Sequence, residues 1–422
     1  MQTVDELIRG LRQIDEQVTD EILHDLIEEH APVRKRMIDL YNRYKANEEG
    51  VPIFSREVPD YEKVNNRINN DFFSEIIDTK VGYMFGNPIS YNVDIEAPNA
   101  EEADKAIKRF NLRNNVEDLD SETGKMAAIC GMGARLLYID KEGEERVMNV
   151  NPWECIFIAD RSLDEPQYAM RYYPVTVQRD GRKEHRIRVE WYDQKNITYF
   201  IEDENGIFVL DDTEERNPQP HMFDFIPLIE FPNNAERQGD ADKALPLIDA
   251  YDRTLSDVNS EIESFRLAYM VFYGMEPDEE TIRKAQQTGA FGAGDPGEGK
   301  IEFLTKQLDD AIIEHHLDRL EANIMRFSKS VNFTDEQFAG NLSGVAIRFK
   351  LMALENKSIT TERKFTAALR RQFKVLASAW RKKGILLDYE NVWFQFKRNV
   401  PINLLDEAQT TAALRGHVSE RT

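Results

Sequence analysis

The sequence predicts an α+β fold, mainly helical, divided into several parts. Three observations carry this expectation. Apolar residues recur every three or four positions over much of the chain, which is the helical period. Residues 147–231 instead show short alternating or apolar runs separated by turn residues, as strands do. From Pro246 onward, two long helical stripes flank a short insert with strand-like ends, an arrangement a compact bundle would not produce. The 422 residues suffice for roughly two to four domains and a sizeable core without disulfide or metal staples.

Taken in order, Leu7, Leu11, Ile14 and Val18 recur at helical spacing, as do Ile22 and Leu26, and Val33 to Tyr44 reads as a further short helix. A Gly- and Pro-punctuated loop precedes a helix predicted over Tyr61 to Met84, which Gly86-Asn87-Pro88 stops. A strand follows at Ile89 to Val93, then helices at Ala100 to Phe110 and Val116 to Gly131, then a strand at Ala134 to Ile139. Strands are expected at 147–150, 154–158, 168–173, 187–193, 197–202 and 206–210, with an apolar run at 221–231. Glu142-Gly143, Asp180-Gly181 and Asn205-Gly206 suit hairpin turns.

In the next stretch Ile248, Tyr251, Leu255, Val258, Ile262, Phe265 and Tyr269 are spaced by threes and fours. The spacing predicts one long helix from Pro246, which suits a first helical turn, with a narrow apolar seam. Its opposite face carries Asp249, Asp252, Asp257, Glu261 and Glu263. The insert Val271 to Thr305 has a glycine-rich, flexible centre. A second long helix is expected over Lys306 to Ser330, with Ile313, Leu317, Leu320, Ile324 and Phe327 as seam and Asp309, Asp310 and Glu314 at its acidic start. Val331 to Gly344 reads as an exposed loop. A third helix over Ser343 to Lys383 places Ile347, Leu351, Leu354, Phe365, Leu369, Phe373, Leu376 and Trp380 inward and is markedly basic. Complementary charge invites it to pack on the acidic hairpin, within one subunit or between subunits. A strand at Val392 to Lys397 and a helical fragment from Leu404 end the chain.

Charge excludes some functions. Lys and Arg number 54 against 77 Asp and Glu, for a formal charge of −23. Such a surface repels phosphates and anionic membranes, so a simple basic DNA clamp is ruled out, though not a protein that handles DNA without gripping it. Cys130 and Cys155 are too few for a disulfide framework or a four-cysteine zinc site and read as plain buried residues. The acidic N-terminus lacks a signal-type apolar core, and no run approaches the ~20 apolar residues of a membrane span; synthesis in the cytoplasm is expected.

Catalytic signals are weak. Gly294-x4-Gly299-Lys300 outlines a phosphate loop, but Ile301 stands where the magnesium-binding Ser or Thr belongs, and Asp295 and Glu298 would repel a triphosphate. The histidines lack zinc-pair spacing. Asp211-Asp212 and Asp309-Asp310 could chelate a divalent ion, yet adjacent carboxylates more often form a solvated face. No nucleophile elbow occurs. No cofactor, metal or catalytic residue is therefore expected.

Four stretches, read together in order and spacing, resemble the portal proteins (head–tail connectors) of tailed bacteriophages, in particular those of siphophages and prophages of Gram-positive hosts. They are NNRINNDFFSEIIDTKVGYMFGNPISY (65–91), NVNPWECIFIAD (149–160), IPLIEFPNNAERQGDADKALPLIDAYDRTLSDVNSEIE (226–263) and LSGVAIRFKLMALENKSITTERKF (342–365). The resemblance implies a ring, of twelve copies in the virion, around a DNA channel at the capsid vertex, assembled in the host cytoplasm. It implies a wing over 1–240, a first stem helix within 241–270, a clip over 271–305 and a second stem helix over 306–330. A tunnel loop over 331–344, a long helix and returning wing strand over 345–403, and the incomplete start of a crown over 404–422 would follow. Its implied partners are further copies of itself, the large terminase subunit, a head–tail adaptor, scaffold and major capsid proteins, and the double-stranded DNA in transit.

Under that resemblance the closest approach to DNA falls to Asn332, Phe333, Thr334, Asp335, Gln337 and Asn341. Docking of the motor and the adaptor falls to the clip, with Phe291, Asp295, Glu298 and Lys300. The acidic stem would keep a duplex centred, because every phosphate neutralised by a cation adds affinity and a ring multiplies it. Two other readings remain: a metal-dependent hydrolase or nuclease using the middle carboxylates, and a non-viral oligomeric scaffold.

Overall fold

Residues 18–59, 64–159, 166–179, 182–265, 269–273, 279–280, 283, 300–304, 310–332 and 344–400 are described by a computed structural model. They fall into two units. One comprises Met1–Gly50, Asp71–Leu245 and Met325–Thr422; the other comprises Val51–Asn70 and Pro246–Ile324.

In the first unit, helix α1 (Asp20–Tyr44) is capped by the Thr19 side chain, and Asp20 and Glu21 sit in its positive first turn. The two short helices expected here are one. Pro32 lies inside it, yet Leu23 and Leu26 on one side and Met37 and Leu40 on the other are all buried, and that burial outweighs the lost backbone bond. Helix α2 (Phe72–Phe85) begins eleven residues later than predicted. Strand β1 (Ser90–Val93) precedes helices α3 (Ala100–Asn114) and α4 (Val116–Cys130). Gly131 then turns the chain at φ +90°, where a Cβ would stand 2.1 Å from the Arg237 carbonyl oxygen, so only glycine fits.

Two sheets follow. Strands β2 (Met132–Ile139) and β3 (Glu145–Val150) form the predicted hairpin, and β10 (Leu228–Pro232) pairs with β2 on the other side. The larger sheet is antiparallel in the order β4 (Cys155–Ile158), β5 (Tyr168–Arg179), β6 (Arg182–Tyr192), β7 (Asn196–Glu202) and β8 (Phe208–Leu210), with β9 (Gln219–Pro220) also paired to β7. Leu23 and Leu26 of α1 pack on the face bearing Met170, Tyr172, Val189 and Trp191.

The long basic helix runs Gly344–Lys382, 39 residues, or about 58 Å. Its predicted inner face is buried from Leu351 to Trp380, the Ile347 side chain lying outside what is described: Phe365, Leu369, Phe373, Leu376 and Trp380 form the main core with Ile107, Phe110, Leu137, Ile229 and Phe231. Strand β13 (Val392–Gln395) returns to pair with β1. Two of the helix's described cations and Lys383, one residue past its end, meet acids within this unit. Lys382 meets Asp224, Lys383 meets Glu145, and Lys357 meets Asp240.

The second unit holds helix α5 (Leu245–Phe265), strands β11 (Tyr269–Tyr273) and β12 (Lys300–Leu304), and helix α6 (Asp310–Ser328), whose last residues belong to the first unit. The expected strand-like ends of the insert pair antiparallel, with Tyr269 opposite Leu304 and Tyr273 opposite Lys300. Tyr269 and Met270 therefore belong to a strand, not to the end of the preceding helix. The long helix from the basic run is α7 in chain order.

Candidate functional site

The first long helix buries the face that its sequence made look solvated. Asp252, at 1 % exposure, and Ser256 and Ser260 are buried, whereas Ile262 of the apolar seam is 56 % exposed and Tyr251, Leu255 and Val258 are half-buried. The cause is residues 64–70, which run extended along α5 instead of forming the predicted helix. The Asn66 amide donates to Ser260 Oγ (3.0 Å), the Ile68 amide to Ser256 Oγ (2.9 Å) and the Asn70 amide to Asp252 Oδ1 (2.8 Å). Alternate residues of an extended chain repeat about every 6.7 Å, and every fourth residue of a helix about every 6 Å, so the two rows match. Arg56 pairs with Asp257, and Asn66 Nδ2 donates to Glu263 (3.0 Å).

This corrects the expected acidic face. Asp252 is buried, and Asp257 and Glu263 are engaged by the chain's own segment, so these three do not form an open row of carboxylates. Asp249 and Glu261 are half-buried and Glu314 is exposed. Asp310 opens α6, and Asp309 lies outside the described residues. Asn332 is half-buried; Phe333, Thr334, Asp335, Gln337 and Asn341 lie outside the described residues, as do Phe291, Asp295 and Glu298. Lys300 opens strand β12. A phosphate loop needs a helix N-terminus at that point, so the nucleotide reading loses its geometry. In α6, Leu320 and Ile324 are buried as expected, but Phe327 is exposed.

A polar knot in the first unit fixes both places where the chain leaves for the helical hairpin and returns from it. Lys357 of α7 donates to the Ser328 carbonyl (2.8 Å) at the end of α6 and to the Asp240 carbonyl (3.1 Å) just before α5, and it pairs with the Asp240 carboxylate. Lys80 of α2 approaches the same carboxylate at 2.8 Å and also bonds Asn233 and Thr361. Arg36 pairs with Asp242. Burial pushes the Lys80 ammonium down to about 8, with Asp240 opposing. Burial acts to raise the Asp240 carboxyl, yet Lys80 and Lys357 hold it below its ordinary value. Asp240 and Lys357 stand in two of the four family-like stretches, but nothing in their spacing reveals that they meet.

A second buried pair joins α4 to β2. Arg135 Nη2 lies 2.8 Å from Asp120, its Nε donates to Thr123, Nη1 reaches Gln372 of α7, and the guanidinium stacks over Phe231. Of the middle carboxylates that a hydrolase would use, Asp211 is likewise spoken for, whereas Asp212 is exposed. Asp211 is buried, 3.1 Å from Arg188, and accepts from the Thr213 amide and hydroxyl. Among the described residues no group of three or more His, Cys, Asp or Glu could hold a metal ion. Cys130 and Cys155 are buried, and burial pushes both thiols far up. Among the described residues no helix is long and apolar enough to cross a membrane.

Comparison with known proteins agrees with this architecture. The family described as "Phage portal protein, SPP1 Gp6-like" matches residues 23–422. A portal protein of Clostridium phage phiCD119 is 25% identical over 389 residues, covering 87% of this chain and 82% of the relative. A portal protein of Bacillus phage SPP1 is 25% identical over 346 residues, covering 78% of this chain and 65% of that relative, so this chain spans a little under two thirds of it.

Proposed function

This chain belongs to the SPP1 Gp6-like phage portal protein family and has a phage portal role; from that premise we propose how its parts divide the work. Copies assemble into a ring at a capsid vertex, and double-stranded DNA passes along the axis during packaging and ejection. Helices α5 and α6 are the stem, the insert closed by β11 and β12 is the clip, 331–344 is the tunnel loop, and α7 links the loop to the wing. The terminase large subunit and later the head–tail adaptor dock on the clip, while scaffold and major capsid proteins meet the outer parts. The chain supplies a channel and a platform, and ATP hydrolysis belongs to the motor.

One observation supports this division above the others: a two-helix excursion whose insert is closed by an antiparallel strand pair, with both of its feet tied to Lys357. A structure that passes DNA under force needs a hairpin fixed at its base and free of strong phosphate contacts. Asp252, Asp257 and Glu263 are engaged by residues 56–70, and the stem carboxylates assigned to the duplex side are Asp249, Glu261 and Glu314. Deleting residues 334–340 while keeping both flanks tests the tunnel loop. Packaging efficiency or retention of packaged DNA should fall, and unchanged values for both would remove the loop from the mechanism.

The hydrolase reading finds no support in Asp211, which is held by Arg188 and Thr213. The scaffold reading shares the ring but lacks the DNA, so reconstituted packaging separates it from the portal role.

A further inference from the structure

The extended segment on α5 is held in an unusual way. None of residues 64–70 belongs to the buried apolar core, and all are half-buried or exposed. On α5 they are held by a row of hydrogen bonds from their backbone to helix side chains, at Ser260, Ser256 and Asp252, and Asn65, Asn66 and Arg67 also bond Arg56 of the same 51–70 excursion, which travels with them. Asn70 Nδ2 adds a second bond to Asp252 (3.2 Å), and Asn66 Nδ2 a bond to Glu263. Each bond to a serine hydroxyl contributes a net factor of about ten or less, because water replaces it on opening, and each bond to the Asp252 or Glu263 carboxylate contributes more. The helix itself does not depend on them, since its own backbone ladder is complete without the segment. Both ends of the 51–70 excursion return to the other unit, at Gly50 and Asp71. The segment can therefore leave α5 while staying attached at both ends.

We propose that residues 64–70 are a releasable clasp: they close over the Asp252–Ser256–Ser260 stripe of α5 and let go of it without unfolding either the helix or the core. Opening uncovers a carboxylate and two hydroxyls on a helix face that is otherwise sealed. It also removes one of the connections that would resist a turn of α5. The opening itself stands apart from the portal reading; only the suggestion that a stem helix would use it during DNA transit rests on that reading.

Amide hydrogen exchange on the intact chain tests the clasp directly, whatever the ring does. The amides of Asn66, Ile68 and Asn70 should exchange at least about 100-fold faster than those of Leu369 to Leu376 in the core helix, as expected of a local opening. The double variant Ser256→Ala with Ser260→Ala should speed Asn66 and Ile68 by roughly tenfold or more and leave the α5 amides and the thermal midpoint near their starting values. Trypsin cleavage after Arg67, which is exposed, should accelerate in parallel. Exchange of the three amides at the rate of the core helix would overturn the proposal, because release would then require global unfolding. So would a double variant that exchanges and cleaves no faster than the parent.

Discussion

His30 shows how one side chain sets a pH limit on the fold. Its Nδ1 lies 2.9 Å from the Tyr172 hydroxyl, and burial, aided by Arg34, pushes its pKa down from 6.5 to about 4. The unfolded chain binds a proton near pH 6.5 and the folded chain does not, so stability falls as pH drops from about 6.5 to 4. The shift corresponds to about 1–3 kcal/mol across that window. His30→Gln should flatten this part of the stability–pH curve, measured by urea denaturation at several pH values; an unchanged slope would mean that another group dominates. At the Lys357 knot the order of effects is the test. Asp240→Ala leaves Lys80 and Lys357 facing each other in a buried site and should cost about 3–5 kcal/mol. Lys357→Met leaves Asp240 still paired with Lys80 and should cost less. Equal losses would show that the Asp240 carboxylate is not the centre of the knot.

Among elements, the contrast lies between α7 and α5. Phe373 is fully buried against Trp380, Tyr91 and Phe394, whereas Phe349 on the same helix is 70 % exposed. Phe373→Ala should therefore cost about 3–5 kcal/mol and Phe349→Ala within about 0.5 kcal/mol, as read from denaturation midpoints of the purified chain. Periodicity revealed α7 because its apolar stripe packs within its own unit, Leu351 and Leu354 on Tyr83 and Met84 of α2 and Phe365 through Trp380 on the main core, so these residues are buried where the pattern puts them. The same rule misread α5. Ser256 and Ser260 look like surface residues until an extended segment some 190 positions earlier offers amides to bond, and no local pattern reports that. Val64 and Ile68 fit a helical spacing continuous with Phe72, and the row of acceptors on α5 holds them extended instead. The two short helices read from Ile22 to Leu26 and from Val33 to Tyr44 are one helix, because residues on both sides of Pro32 are buried. The hairpins at Gly143 and Gly206 were legible because their turns need positive φ, which both glycines adopt. Of the candidate site, the helical hairpin and its strand-edged insert could be read from sequence, whereas the knot at Lys357 could not.

Across the whole molecule, the charge of −23 and the portal family fit together when DNA is a passenger rather than a ligand. Of the basic residues in and just after α7, Lys357, Lys382 and Lys383 each meet an acid of their own unit, so these three are not counted toward a DNA-binding surface. On α5, Ile262 of the apolar seam is largely exposed. Electron microscopy of the purified chain, averaged to resolve helices, tests the ring and its lining together. The account predicts top views with an open central hole, bordered by the α5–α6 hairpins with Asp249, Glu261 or Glu314 toward the axis. Monomers, particles without a hole, or a bore lined by the lysines and arginines of α7 would contradict it.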